Sequence, residues 1–465
     1  MPVTLSFHGG VDTVTGSCHL LSADGLNILI DCGMFQGEPR FENKNYDDFG
    51  FEPPSIDWLL LTHGHLDHCG RIPLLVKKGF KGKILCTAAT YDIARLILLD
   101  TAKIQEEDFE YGKRLKPGGG QTQHEPLYTT QDVFDALQYF HPADGYGKPI
   151  RLNGNITAIL KDAGHIFGSA FIELDIKNYG RIVFSGDLGN RNKPIIKDPS
   201  FPDAADAAVI ETTYADRNHK GIEESVEELR QAITWTFRRG GNVLIPAFAV
   251  ERAQDILYYL REFREQEDIP PCTVYLDSPM AITVADIIRE NPAYYDKETA
   301  RMLLEEKDPF SFPGLKLTKT PEESKKINFV RSNAVIIAGS GMCTGGRIRH
   351  HLTHNIWREE SSVVFLGYQA EGTLGRKIVD GEKTVRIFDE TYKVHAKVYT
   401  IGGFSAHADR DILIEWLSHN KGLKQVFLVH GERENLFSFE ETLRERKVAE
   451  RVSVPHMHES FILKK

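Results

Sequence analysis

Three histidines and one aspartate, His63, His65, Asp67 and His68, fall within six positions of the stretch LLLTHGHLDHCG. Such a cluster has no packing rationale, because buried imidazoles and a carboxylate need partners. Residues two apart in extended backbone face the same side, so His63 and His65 can grip one ion, while Asp67 and His68 turn toward a neighbouring position. Gly64 keeps the backbone between the two histidines unobstructed. Imidazole nitrogen and carboxylate oxygen suit Zn²⁺, bound at about 2.0–2.2 Å with few ligands per ion. Four ligands on one loop cannot complete two sites. Other segments must contribute, and His165, Asp187 and His430 each stand at the end of an apolar run elsewhere.

Those runs are the elements that must position the cluster. LNILID ends at Asp31, IDWLLLTH at His63, NITAILKDAGH at His165 and RIVFSGD at Asp187. AAVIET carries Glu211, and LKQVFLVH ends at His430. Short runs of Ile, Leu, Val and Phe bounded by turn residues fit strands buried in a sheet. If the strands point their ends at one edge, residues far apart in sequence meet there. Between about residues 90 and 140 the pattern turns helical and predicts a helical insert, with breakers at Pro117 and the glycines that follow. From residue 213 strands and helices alternate, which predicts a parallel α/β sheet. The strand-then-histidine pattern returns from about residue 393. The expected organisation is a first domain begun by residues 1–212, an inserted domain over 213–392, and a segment 393–465 that completes the first.

At 465 residues the chain exceeds one small core, and its composition, 41% hydrophobic and 26% charged, is that of a globular protein. No apolar stretch approaches the roughly 20 residues that span a bilayer. The start, MPVTLSFHGG, lacks a basic segment followed by an apolar one. A cytoplasmic protein without membrane contact is expected. The six cysteines are scattered with no C-x-x-C pair, which suits a reducing compartment. A net charge of −10 argues against broad adhesion to nucleic acid, but not against a local site that borrows charge from metal ions.

His-x-His-x-Asp-His, preceded by Asp31 and followed by DAGH and FSGD, resembles the metallo-β-lactamase superfamily. ETTYADR, a large α/β insertion, GFSAHAD and VHGE narrow the resemblance to the β-CASP branch of nucleases. That branch includes the nuclease subunit of the pre-mRNA cleavage and polyadenylation factor and its short prokaryotic relatives. The resemblance implies an α/β fold, an αββα sandwich with an inserted parallel α/β (β-CASP) domain. It also implies two Zn²⁺ per chain, one on His63, His65 and His165, the other on Asp67, His68 and His430, with Asp187 bridging. Asp31 would be an acceptor that fixes a ligand or the attacking water. Glu211 would orient His407, the candidate general acid. Ala215 departs from the glycine expected in ETTYADR and puts only local backbone detail in question.

The implied activity is hydrolysis of phosphodiester bonds in single-stranded RNA, with zinc-activated water attacking phosphorus and His407 protonating the departing 3′-oxygen. Both endonuclease and 5′-to-3′ exonuclease action are compatible with it. RNA-cutting members of the branch carry a histidine where DNA-directed relatives usually carry a valine, and here the residue is His430. In AGSGMCTGGRIR, the turn around Ser340 and Gly341 could hold a phosphate through backbone N–H groups. Arg252 and Arg376 are cationic candidates for the same substrate. Family members commonly form homodimers. The alternatives are a DNA nuclease of the branch, another hydrolase of the fold acting on small esters or thioesters, and a catalytically silent binding subunit. The last is opposed by the filled ligand positions.

Overall fold

In this computed structural model, which describes residues 2–115, 125–420 and 422–464, the chain divides into two units. Unit 1 comprises Met1–Arg191, Asp198–Asn218 and His407–Lys465; unit 2 comprises Asn192–Lys197 and His219–Ala406.

Unit 1 is built on two seven-stranded sheets. The first runs in the order β22 (Ser460–Leu463), β1 (Val3–Gly9), β2 (Cys18–Ala23), β3 (Leu26–Ile30), β4 (Trp58–Leu60), β5 (Lys83–Thr87) and β6 (Phe140–Ala143). It is antiparallel from β22 to β3 and parallel from β3 to β6. The second runs β21 (Arg451–Ser453), β20 (Gln425–Val429), β11 (Ala207–Glu211), β10 (Gly180–Phe184), β9 (Ala170–Ile176), β8 (Ile156–Asp162) and β7 (Ile150–Arg151).

In β8 buried and half-buried residues alternate, so Ile156, Ala158 and Leu160 line one face. They join Ile172 and Phe184 of the same sheet and Phe7, Ile28 and Leu60 of the other in one core between the sheets. A one-residue slip of register would turn that apolar set outward, which is what fixes the strand ends along the sheet edge.

Helices close the outer faces. Phe171, Val183 and Ile210 pack with Leu413 and Trp416 of the helix Arg410–Ser418 and with Phe439 of the helix Arg433–Glu445. Trp416 is fully buried and its indole N–H donates to the Ser200 carbonyl at 3.1 Å. On the other side the helix Ala88–Leu115 lies against β5, β6 and the helix Thr130–Leu137. Thr129 and Asp132 start the latter with a reciprocal capping box. These two helices are a layer of the sandwich rather than an insert on it. The expected breakers, Pro117 and its glycines, lie outside the described residues.

Unit 2 holds a six-stranded sheet in the order β14 (Leu315–Leu317), β13 (Thr273–Leu276), β15 (Ala334–Ala338), β12 (Val243–Pro246), β16 (Ser362–Phe365) and β19 (Lys397–Thr400). Every pairing is parallel. The strands β12, β15 and β16 are buried throughout, as a parallel sheet covered on both faces requires. A separate hairpin joins β17 (Thr384–Ile387) to β18 (Glu390–Lys393). One boundary read from sequence moves. KVYT, expected in the segment that completes the first domain, pairs as β19 with β16 and closes the edge of this sheet, so the chain re-enters unit 1 at His407. Among the described residues no helix is long and apolar enough to cross a membrane.

At the end of β1, His8 is 7% exposed; its Nδ1 lies 3.1 Å from Nδ1 of His458 and its Nε2 2.9 Å from the Ser6 hydroxyl. Burial, with His458 adding to it, lowers the His8 pKa to about 4. A folded-state value below the unfolded one means that the stabilising contribution is complete above pH 6.5 and is lost as the pH falls toward 4. In thermal melts His8→Gln should lose about 1 kcal/mol less than the wild type between pH 7 and pH 5.5. Parallel pH profiles for the two proteins would contradict this.

Candidate metal centre

The strand ends of unit 1 deliver the chemistry. Asp31 follows β3, His63 stands three residues beyond β4, and His165 three beyond β8. Asp187 is three beyond β10, Glu211 is the last residue of β11, and His430 follows β20. The loops that carry them touch backbone to backbone. A Cβ on Gly33 would stand 1.6 Å from the Asp67 carbonyl oxygen, and one on Gly189 would stand 1.6 Å from that of Gly164. Only glycine fits either approach. Asp31 (φ +60°) and His430 (φ +50°) occupy the left-handed region, which Asp and His enter more readily than most side chains but still at a cost.

Four side-chain atoms converge from three loops: Nε2 of His63, Nδ1 of His65, Nε2 of His165 and Oδ2 of Asp187. The His63–His65 separation is 3.1 Å and His65–His165 is 3.2 Å, while Asp187 Oδ2 is 3.5 Å from both His63 and His165. Ligands bound tetrahedrally at about 2.0–2.1 Å are roughly 3.3 Å apart, so this set fits a small divalent cation. A second set gathers beside it. Nε2 of His68 lies 3.4 Å from Nε2 of His430 and 3.2 Å from Oδ1 of Asp187, and His430 Nε2 lies 3.3 Å from Oδ2 of Asp67. Asp187 thus turns one carboxylate oxygen to each set.

Neighbours fix the ring orientations. The Asp31 carboxylate accepts from the Thr62 backbone N–H and hydroxyl, both at 2.8 Å, and from His68 Nδ1 at 2.7 Å. With its hydrogen committed to Asp31, the Thr62 hydroxyl accepts from His63 Nδ1 at 3.0 Å. Both His63 and His68 are left with Nε2 turned inward, the arrangement that metal-ligating histidines need. Thr213 does the same for His430, at 3.2 Å from its Nδ1. The sequence reading missed Thr62 and Thr213; the threonine directly before His63, in a loop that must satisfy an imidazole, was the signal for the first.

Electrostatics separate the histidines. Burial lowers His63 well below the usual imidazole value and brings His65 to about 4, so both are held neutral, as ligands must be. Burial also opposes charge on His68, but the carboxylates of Asp187 and Asp31 outweigh it and raise its pKa well above normal. The Asp187 carboxyl is held well below its ordinary range: burial raises it, and His430, His68 and His63 overcome that. A bound cation would add to the positive charge that balances the Asp187 carboxylate.

His407 lies beside the first set, its ring 4.5 Å from that of His165. Its Nδ1 is 3.2 Å from each oxygen of the fully buried Glu211 carboxylate, which also accepts from the Leu188 N–H at 2.7 Å. Burial disfavours charge on His407, but Glu211 prevails and raises its pKa. The Nδ1–H donated to Glu211 leaves Nε2 as the outward nitrogen. The backbone joins too, because the Ala408 N–H donates to the Leu188 carbonyl at 2.7 Å.

The remaining predicted residues lie in unit 2. Ser340 and Gly341 form the turn after β15, where the Ser340 hydroxyl accepts from the Gly345 N–H at 3.1 Å. Arg376, on the helix Leu374–Val379, pairs with Asp380 at 2.8 Å. Arg252 corrects the sequence reading. It is 7% exposed, with its guanidinium 3.5 Å from the Glu251 carboxylate, in a buried cluster that includes Lys193 and Asp255. It packs among these charged groups in the interior of unit 2.

Comparison with known proteins agrees with this geometry. The metallo-beta-lactamase superfamily matches residues 11–133, the Beta-Casp domain residues 253–378, and the Zn-dependent metallo-hydrolase RNA specificity domain residues 391–455. The chain is 41% identical to ribonuclease TTHA0252 of Thermus thermophilus, over 92% of its own length and 93% of the relative's. It is 33% identical to transcription termination factor FttA of Methanocaldococcus jannaschii, over 95% of its length and 69% of that protein. A crystal structure of a protein of unknown function from Enterococcus faecalis superposes with a TM-score of 0.56, full coverage of both chains and 13% identity, a likeness of fold alone.

Removing Asp31 should strip three buried donors of their shared acceptor. Each buried donor left unpaired costs about 1–3 kcal/mol, so Asp31→Ala is expected to lose about 3 kcal/mol or more, and Thr62→Val about 1 kcal/mol. Denaturant unfolding of the two variants measures the difference, and equal losses would contradict the shared role.

Proposed function

The chain belongs to the β-CASP branch of the metallo-β-lactamase superfamily, and on that premise we propose that it is a metal-dependent ribonuclease that hydrolyses phosphodiester bonds of single-stranded RNA. The observation that carries this reading is Asp187, whose two oxygens face two donor sets, with the His407–Glu211 pair at their margin. The name of the Thermus relative and the RNA specificity domain matched over residues 391–455 support RNA as the substrate.

In this reading the chain holds two Zn²⁺, one on His63, His65 and His165, the second on Asp67, His68 and His430, with Asp187 shared. Two such ions, when bound, lower the pKa of a water and neutralise charge on a phosphodiester. The chain's own residues do the rest. Asp31 keeps Nε2 of His68 turned inward directly, and that of His63 through the Thr62 hydroxyl. Glu211 keeps Nδ1 of His407 protonated, so that the proton on the outward Nε2 is the one available to the departing 3′-oxygen. Attack by water leaves a 5′-phosphate and a 3′-hydroxyl. Cleavage within the strand and removal of nucleotides from the 5′ end both fall within this reading.

The test uses 5′-labelled single-stranded RNA and DNA of one sequence with the purified protein. RNA should be cut to fragments with 3′-hydroxyl ends, DNA much less, and chelator should abolish cutting. His65→Ala should lower bound metal from about two ions per chain toward one, read by elemental analysis. His407→Ala should keep its metal and lose about 10²–10⁴-fold in kcat. Wild-type protein that carries metal and leaves RNA intact would overturn the ribonuclease reading. A preference for DNA would favour the DNA nuclease instead.

A further inference from the structure

Two large aromatic side chains of unit 2 remain exposed at one end of its sheet: Phe248 at 47% and Tyr368 at 43%. Phe248 stands two residues beyond β12, Tyr368 three beyond β16, and the Ser340–Gly341 turn follows β15. The spatial order is β15, β12, β16, with all strands parallel, so the three loops leave the carboxyl ends of adjacent strands. Ligands of open α/β sheets bind at that edge.

The Phe248 ring lies on this turn, and the backbone of Tyr368 is tied to it through Gln369. A Cβ on Gly341 would meet the Phe248 ring at 2.7 Å, so glycine there is what lets the ring lie on the turn's backbone. The backbone of that loop is held on both sides, Ala247 N–H donating to the Ala338 carbonyl and Phe248 accepting from Ala253. On the other flank the buried Gln369 amide donates to the carbonyl of Gly341 at 3.2 Å and to that of Tyr368 at 3.1 Å. The Gly375 N–H also reaches the Met342 carbonyl at 3.1 Å. Arg376, on the helix that follows, is paired with Asp380 at 2.8 Å, and its side chain is 36% exposed. The result is one ring packed on a turn rich in backbone N–H groups, and a second exposed aromatic whose backbone is tied to the same turn.

We propose that Phe248 and Tyr368 form a stacking platform for unpaired nucleobases, which holds a single RNA strand against the glycine-rich turn of unit 2. The proposal rests on the ribonuclease reading above and adds to it the means of grip. In a chain with a net charge of −10, phosphate attraction alone is a weak source of affinity. Base–aromatic stacking does not depend on charge, tolerates any sequence, and requires bases that are not already stacked in a duplex. The platform therefore selects single strands without selecting a sequence.

The test compares affinities by fluorescence anisotropy. The ligands are a cleavage-resistant phosphorothioate oligoribonucleotide and an abasic strand of the same length and charge, with full-length wild-type protein and with Phe248→Leu and Tyr368→Leu. The wild type should prefer the base-bearing strand, and each leucine variant should lose about 5- to 150-fold for that strand alone. The slope of affinity against salt should stay unchanged, since no phosphate contact is removed. Phe248→Trp should keep the preference. Equal wild-type affinity for the two strands would overturn the platform without recourse to any variant, as would leucine variants of wild-type melting temperature that keep the preference. If the wild type cuts RNA but shows either result, the platform alone fails. If it neither binds nor cuts RNA, the ribonuclease reading fails and takes the platform with it.

Discussion

A single buried carboxylate sets the terms for unit 1. Asp187 is 1% exposed, and four imidazoles from three loops stand within 3.5 Å of its oxygens. A carboxylate removed from water to this degree costs several kcal/mol unless opposite charge faces it. The structure meets that demand from strand ends that are hundreds of residues apart in sequence. The demand also has a direction: Oδ1 and Oδ2 need separate partners, so the loops must arrive on two sides of the group. The sheet edges, the glycines where loops touch and the left-handed turns at Asp31 and His430 are the means of bringing them there.

Asp31 is the second fixed point, and it acts on orientation rather than charge. One carboxylate takes three hydrogen bonds and so fixes the rotation of two rings, His68 directly and His63 through the Thr62 hydroxyl. The left-handed backbone at Asp31 costs on the order of 1 kcal/mol, less than the bonds it permits. Glu211 repeats the device at His407, and Thr213 at His430. The rings of His63, His68, His407 and His430 are thus each oriented by an oxygen behind them, and that part of the centre is shaped before any ligand arrives.

Unit 2 follows a different logic. Its central strands β12, β15 and β16 are buried along their whole length, so in that part of the sheet the chemistry falls to the loops at the carboxyl ends. There the buried charges are structural: Lys193, Glu251, Arg252 and Asp255 neutralise one another inside, and Asp277 pairs with Arg347 at the start of the helix Ile348–Asn355, with His351 Nε2 2.6 Å from the other Asp277 oxygen. Phe248 and Tyr368 reach the surface at that end of the sheet.

Sequence alone determined the elements and the ligand types. Period-two alternation in β8 and the apolar runs of β12, β15 and β16 are signatures of local burial, and His-x-His-x-Asp-His groups donors that have no packing rationale, so both were legible without coordinates. Tertiary structure alone decided what depends on contacts between distant segments. Nothing in KVYT says which sheet it joins; pairing with β16 decided that. Nothing in VERAQD separates a surface arginine from a buried one, and Glu251 with the packing around it buried Arg252. Thr62 gained its part only because Asp31, on a neighbouring strand, stands within 2.8 Å. Periodicity and residue type record what a segment needs, whereas partners are chosen by which surfaces meet, and that information is spread over the whole chain.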